Sequence, residues 1–205
     1  MKKFILLSAV GALVFVGAVR GDDANSATQK QATTSNADQK TGQENAGAEE
    51  IQFDGGKLLL AWQTDNDGNT IKEFIPKGET LEGWTKLAAV REYPTLKDAR
   101  GFAEMMVQRL QEDSPGAPSK VTDGTKPGEV VLDFVAWPKD KSFVEFNVWK
   151  FRDQPNGGLL AEQFAVREYK DPEGFLKNLK SVRERLVSAM AKDGLQVQAA
   201  PQNAN

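Results

Sequence analysis

Cysteine and histidine are both missing from the 205 residues of this chain. Without cysteine there is no disulfide, no thiolate nucleophile, no zinc–sulfur or iron–sulfur site and no lipidated Cys. Without histidine there is no Ser-His-Asp or Cys-His machinery and no imidazole to hold a metal. No Ser-x-x-Lys motif occurs, so no serine or threonine nucleophile can be assigned. Positive charge is also in short supply, and the formal net charge is −3. An acidic chain is a poor binder of nucleic acid, whose phosphates need a basic surface.

The one long apolar run lies at the N-terminus. Met1-Lys2-Lys3 is a short basic start, Phe4–Val19 is uncharged and mostly apolar, and Arg20-Gly21-Asp22-Asp23 ends it. This is the pattern of a secretory signal peptide, predicted over residues 1–21 with cleavage after Gly21 or Ala18. The run is shorter than the ~20 residues of a spanning helix, so no transmembrane segment is expected after cleavage. Removing residues 1–21 removes Lys2, Lys3 and Arg20 and no acid, which takes the net charge from −3 to −6. An exported protein, periplasmic or secreted, is expected.

Residues 22–48 contain no Val, Ile, Leu, Met or aromatic side chain. Such a segment cannot offset its ordering entropy by burial, and it reads as a disordered polar leader. Residues 49–195 read as a single domain, and residues 196–205 as a flexible polar tail. In the domain, Leu58–Gln63 and Ile71–Ile75 flank a turn containing Asp67-Gly68, a strong hairpin signal. Strands are predicted over Trp84–Tyr93, Lys120–Asp123, Glu129–Trp137, Phe143–Phe151 and Leu159–Tyr169. One helix follows Pro94, with Thr95 and Asp98 spaced as a capping box. A second opens at Asp171-Pro172-Glu173, an N-cap followed by proline at the first helical position. Phe175, Leu179, Val182, Leu186 and Ala189 form its apolar stripe, and Lys177, Lys180 and Arg183 read as a solvated face.

The expected fold is α+β: a mainly antiparallel sheet of about six or seven strands with two amphipathic helices packed on it, in βββα-ββββα order. Ala89-Val90-Arg91-Glu92-Tyr93 recurs as Ala165-Val166-Arg167-Glu168-Tyr169, an offset of 76. Each copy ends a strand, and Gly101-Phe102 and Gly174-Phe175 follow in the early turns of the two helices. The echo reads as duplication or pseudo-symmetric packing. Pro76-Lys77-Gly78 and Gly83-Trp84 precede one strand, then come the Thr95 helix, hairpins and a closing helix. In this order the chain resembles the Mog1/PsbP/DcrB-like domains over most of residues 51–192. The resemblance implies a broad antiparallel sheet with flanking helices and an accessory or binding role, with no shared catalytic residue set.

Two constellations invite chemistry. Asp65, Asp67 and Asn69 alternate as calcium ligands do, but the EF-hand template fails at its first and twelfth positions, and turn chemistry explains the residues. No metal or cofactor is expected. The hairpin Glu129–Phe151 is richer. If its apolar sets share one face, Asp133, Trp137, Phe143, Glu145, Asn147 and Trp149 share the other, with Asp133 opposite Asn147 and Val135 opposite Glu145. Aromatic faces beside carboxylates and an amide suit sugar or peptide binding. Asp133 and Glu145 also meet the minimum for a glycosidase. The leading expectation is a non-enzymatic binding module for a partner protein or envelope component. A glycan hydrolase using Asp133 and Glu145, and a carrier of a small apolar ligand, are the alternatives.

Overall fold

The computed structural model describes residues 49–199. The signal peptide expected over residues 1–21, the leader over 22–48 and the end of the tail lie outside the described residues. The architecture is α+β, with nine strands in one sheet and two helices among the described residues. The first half runs β1 (Glu49–Phe53), β2 (Gly56–Asn66), β3 (Asn69–Ile75), β4 (Lys86–Tyr93) and α1 (Ala99–Asp113). The second runs β5 (Ser119–Asp123), β6 (Glu129–Ala136), β7 (Val144–Asp153), β8 (Leu159–Glu168) and α2 (Pro172–Lys192), with β9 (Val197–Ala199) closing.

The spatial order is β5-β6-β7-β8-β4-β3-β2-β1-β9. Each half is therefore an up-and-down meander, and the two join along β4 and β8. Every pairing is antiparallel, as short connections favour. Six or seven strands were expected, and β1 and β9 make the difference. Both are short, and β9 is exposed throughout, so neither carries a strong alternation. They pair with each other, and β9 orders part of the span read as a flexible tail.

The helices cover opposite faces. On the α2 face, Leu186 and Met190 pack over Ile51, Leu58, Phe74, Val131, Val135, Phe146, Val148 and Phe164. On the α1 face, Ala99, Ala103, Met106 and Leu110 pack over Val130, Leu132, Phe134, Trp149 and Phe151. Strands β6, β7 and β8 are consequently buried on both sides, while β2 and β3 are only half covered.

The two helices start with one device. Asp171 caps α2 by accepting from Gly174 N at 2.9 Å, and Pro172 follows it as expected. Asp98 caps α1 by accepting from Gly101 N, also at 2.9 Å. The capping box at Thr95 is thus corrected. The helix begins at Ala99, and residues before Asp98 form a turn closed by Leu96 N donating to Tyr93 O at 3.3 Å. The glycines explain themselves: a Cβ at Gly101 or Gly174 would stand 2.4 or 2.0 Å from the capping carboxylate.

Candidate functional site

The hairpin β6–β7 forms, but one residue out of the expected register. Asp133 pairs with Val148, Phe134 with Asn147, and Ala136 with Glu145. Asp133 therefore lies on the α2 face, and Glu145, Asn147 and Trp149 on the α1 face. The cause is burial on both sides, since every residue from Glu129 to Ala136 and from Val144 to Lys150 is buried. The hydrophobic pattern then no longer says which face is which. Trp137 and Phe143 sit in the loop joining the two strands.

Asp133 is engaged under α2. Arg183 Nε donates to its Oδ1 at 2.6 Å and Nη2 to its Oδ2 at 2.9 Å, a fork on a carboxylate. The hydrogen bond to Asp133 raises the Arg183 pKa above its ordinary value. Arg183 was expected on a solvated face, and this pair corrects that. Asp65, from the calcium reading, accepts from Gly68 N at 3.0 Å within the β2–β3 turn, where Asp67 and Gly68 have φ of 52° and 81°.

On the α1 face the sequence echo becomes geometry. Ala88 pairs with Phe164, its own counterpart at the offset of 76, so a local pseudo-two-fold passes between β4 and β8. Arg91 and Arg167 are each three residues beyond it, on the same face. Arg167 is saturated. Its Nε donates to Glu145 Oε1 at 2.7 Å, its Nη2 reaches the same oxygen, and its Nη1 donates to the Tyr169 hydroxyl at 3.0 Å. The guanidinium carbon lies 3.8 Å from the Trp84 ring centroid and 4.1 Å from that of Phe143, an aromatic sandwich. Tyr169 OH donates on to Trp84 O at 3.1 Å. Phe143 and Glu145, two of the expected binding residues, thus serve to hold Arg167.

Arg91 is not saturated. Its only carboxylate contact among the described residues is Glu73 Oε1, 3.3 Å from Nη2. It lies 4.8 Å from the Trp149 ring centroid. Burial pushes the Arg91 guanidinium down, against the opposing pull of Tyr93 and Glu73. Burial also raises the Glu73 carboxyl, and Arg91 only partly offsets it. Arg91 Nη1, Asn147 Nδ2, Trp149 Nε1 and Gln163 Oε1 are buried without a hydrogen-bond partner among the described residues. They form a chain of neighbours that begins with Arg91 over the Trp149 ring. Trp149 pairs with Gln163 across β7 and β8, and Gln163 Nε2 donates to Asn147 Oδ1 at 2.9 Å. Leaving one such group unsatisfied costs about 1–3 kcal/mol. Asn147 and Trp149 were foreseen as site residues; Arg91 and Gln163 were not. The available signal was alternation of charge and amides along strands with no solvated side.

A protein-family model matches residues 46–194. The chain belongs to that family. The matched span takes in both helices, every strand from β1 to β8, and both arginines of the pseudo-two-fold. No curated protein matches the sequence.

The α1 face continues past Arg91 onto β3 and β2, beyond the cover of α1. A bulge between Leu60 and Trp62 turns Trp62 onto the same face as Leu59, three residues earlier. Trp62 is 42% exposed there, beside half-buried Leu59, Ile71 and Glu73. No helix among the described residues is long and apolar enough to cross a membrane.

Proposed function

We propose that the chain is an exported, non-enzymatic module that binds a partner protein or envelope component. Residues 1–21 direct export and residues 22–48 act as a spacer. The observation that carries the binding reading is Trp62, a large aromatic that the bulge turns onto the part of the sheet left uncovered by the described residues. An exposed aromatic beside half-buried Leu59 and Ile71, with Glu73 and Thr64 between them, suits protein contact. The accessory role implied by the resemblance to Mog1/PsbP/DcrB-like domains agrees with it. Hydrolysis is disfavoured, because Asp133 and Glu145 lie on opposite sides of the sheet and each is held by an arginine.

A photo-crosslinking residue at position 62, with a second at position 180 on α2 as reference, tests the reading in the exporting cell. A discrete envelope adduct from position 62 alone is expected, and Trp62→Ala should compete poorly for it. Absence of that adduct overturns the binding face. Glycan hydrolysis abolished by Asp133→Asn overturns the non-enzymatic reading.

A further inference from the structure

The halves of the molecule offer an internal template. Opposite Arg167, on the neighbouring strand, stands Glu145; opposite Arg91 stands Ile71. The second half thus supplies its arginine with a carboxylate that the first half lacks at the matching place. Around Arg91 the unpartnered groups are three donors and one acceptor. Turning both amides of the Asn147–Gln163 pair over leaves that count unchanged, because one donor and one acceptor remain unused either way. Small side chains, Ala89, Ala161 and Ala165, flank the cluster on β4 and β8 and offer no polar atom of their own.

We propose that Arg91, Asn147, Trp149 and Gln163 form a binding site for a carboxylate that carries a hydrogen-bond donor on the next atom, as an α-hydroxy acid or the free C-terminus of a peptide does. The carboxylate oxygens accept from Arg91 Nη1, Trp149 Nε1 and the spare amide N–H, and the adjacent donor satisfies the spare amide oxygen. With the Glu73 side chain swung away from Arg91, a monoanion matches the single cation. A phosphate dianion would bring a second charge with nothing to neutralise it. Entry is from the β3 side, where Glu73 is only half buried and Ile71 lies beside it, so a swing of the Glu73 side chain opens the way. The site stands whether or not the Trp62 face docks a partner.

The full chain, labelled with 15N, is titrated with glycolate, with N-acetyl-glycyl-glycine, with acetate and with inorganic phosphate. The indole N–H of Trp149, assigned by its loss in Trp149→Phe, is followed. Glycolate or the peptide should move that signal saturably, and whichever does so identifies the source of the carboxylate. Acetate, which lacks the donor, should bind about tenfold more weakly, the difference one hydrogen bond makes. Gln163→Leu should bring the better ligand down to the acetate level. Ile71→Glu should abolish binding by supplying the carboxylate from within, while the chain stays folded. No movement with either ligand at tens of millimolar, equal response to phosphate, or binding unchanged in Ile71→Glu overturns the proposal.

Discussion

Arg91 and Arg167 occupy the same place in two related strands, on the same face, three residues from a common axis. One is fully engaged by a carboxylate, a hydroxyl and two aromatic rings; the other keeps a guanidinium N–H without a partner among the described residues. The contrast separates two uses of a buried charge. At Arg167 the cation ties the β3–β4 loop to β8 through Trp84 and Tyr169, so its environment is complete and its role is structural. At Arg91 the described residues leave the environment incomplete, with several buried polar groups unpaired among them. Natural proteins tolerate such groups where the missing partner arrives from outside.

The harshest test removes what the second half has and the first lacks, a long helix over the α2 face. Ending the chain at Lys170 deletes α2 and β9 and uncovers Val131, Val135, Phe146, Val148 and Phe164. Loss of a cooperative thermal transition is expected, and a sharp melt would show that the core lies on the α1 face alone. Next, Glu145→Ala should cost about 3–5 kcal/mol, because it strands a buried arginine. The matching change, Glu73→Ala, also leaves a buried arginine without its carboxylate and should cost about 1–3 kcal/mol, less than Glu145→Ala because that pair is a single contact at 3.3 Å. Equal losses in denaturant melts would erase the distinction between the two sites.

A smaller effect sharpens it. Burial raises the Glu73 carboxyl, so the folded chain holds that proton more tightly than the unfolded one. Its contribution is full below glutamate's ordinary value and is lost as pH rises through the raised value. Glu162, raised chiefly by burial, acts in the same direction and remains in the variant. Glu73→Gln should therefore gain stability relative to the parent chain with rising pH across that span. Parallel curves of unfolding midpoint against pH would exclude it. The smallest contrast is at the helix caps. Asp98 sits at φ 72°, a conformation that glycine adopts freely, whereas Asp171 sits at φ −135°. Asp98→Gly should be the less costly of the two glycine substitutions, by up to about 1 kcal/mol, read from thermal melts.

The parts of this fold that were legible in sequence are those whose signal is local. Asp171-Pro172 announced α2, Asp67-Gly68 announced the β2–β3 hairpin, and the repeated Ala-Val-Arg-Glu-Tyr announced the two central strands. The register of β6 on β7 was not legible, because alternation identifies a face only when the other face is wet. That single slip moved Asp133 to the far side of the sheet from Glu145. Half of the candidate site, Asn147 and Trp149, was visible as polar and aromatic groups among apolar strand residues. Arg91 and Gln163 come from strands distant in sequence, and only the pairing of β4 with β8 brings them alongside.

The pairing of β1 with β9 has a consequence of its own. Glu49 stands directly across from Ala199, so the domain's entry and exit points are side by side at one edge of the sheet. A domain with adjoining ends can be spliced into a surface loop of a host protein without prising the host apart. For the same reason a short linker from residue 199 back to residue 49, with new ends cut at the exposed Asp67-Gly68 turn, would give a circularly permuted chain with every strand pairing intact.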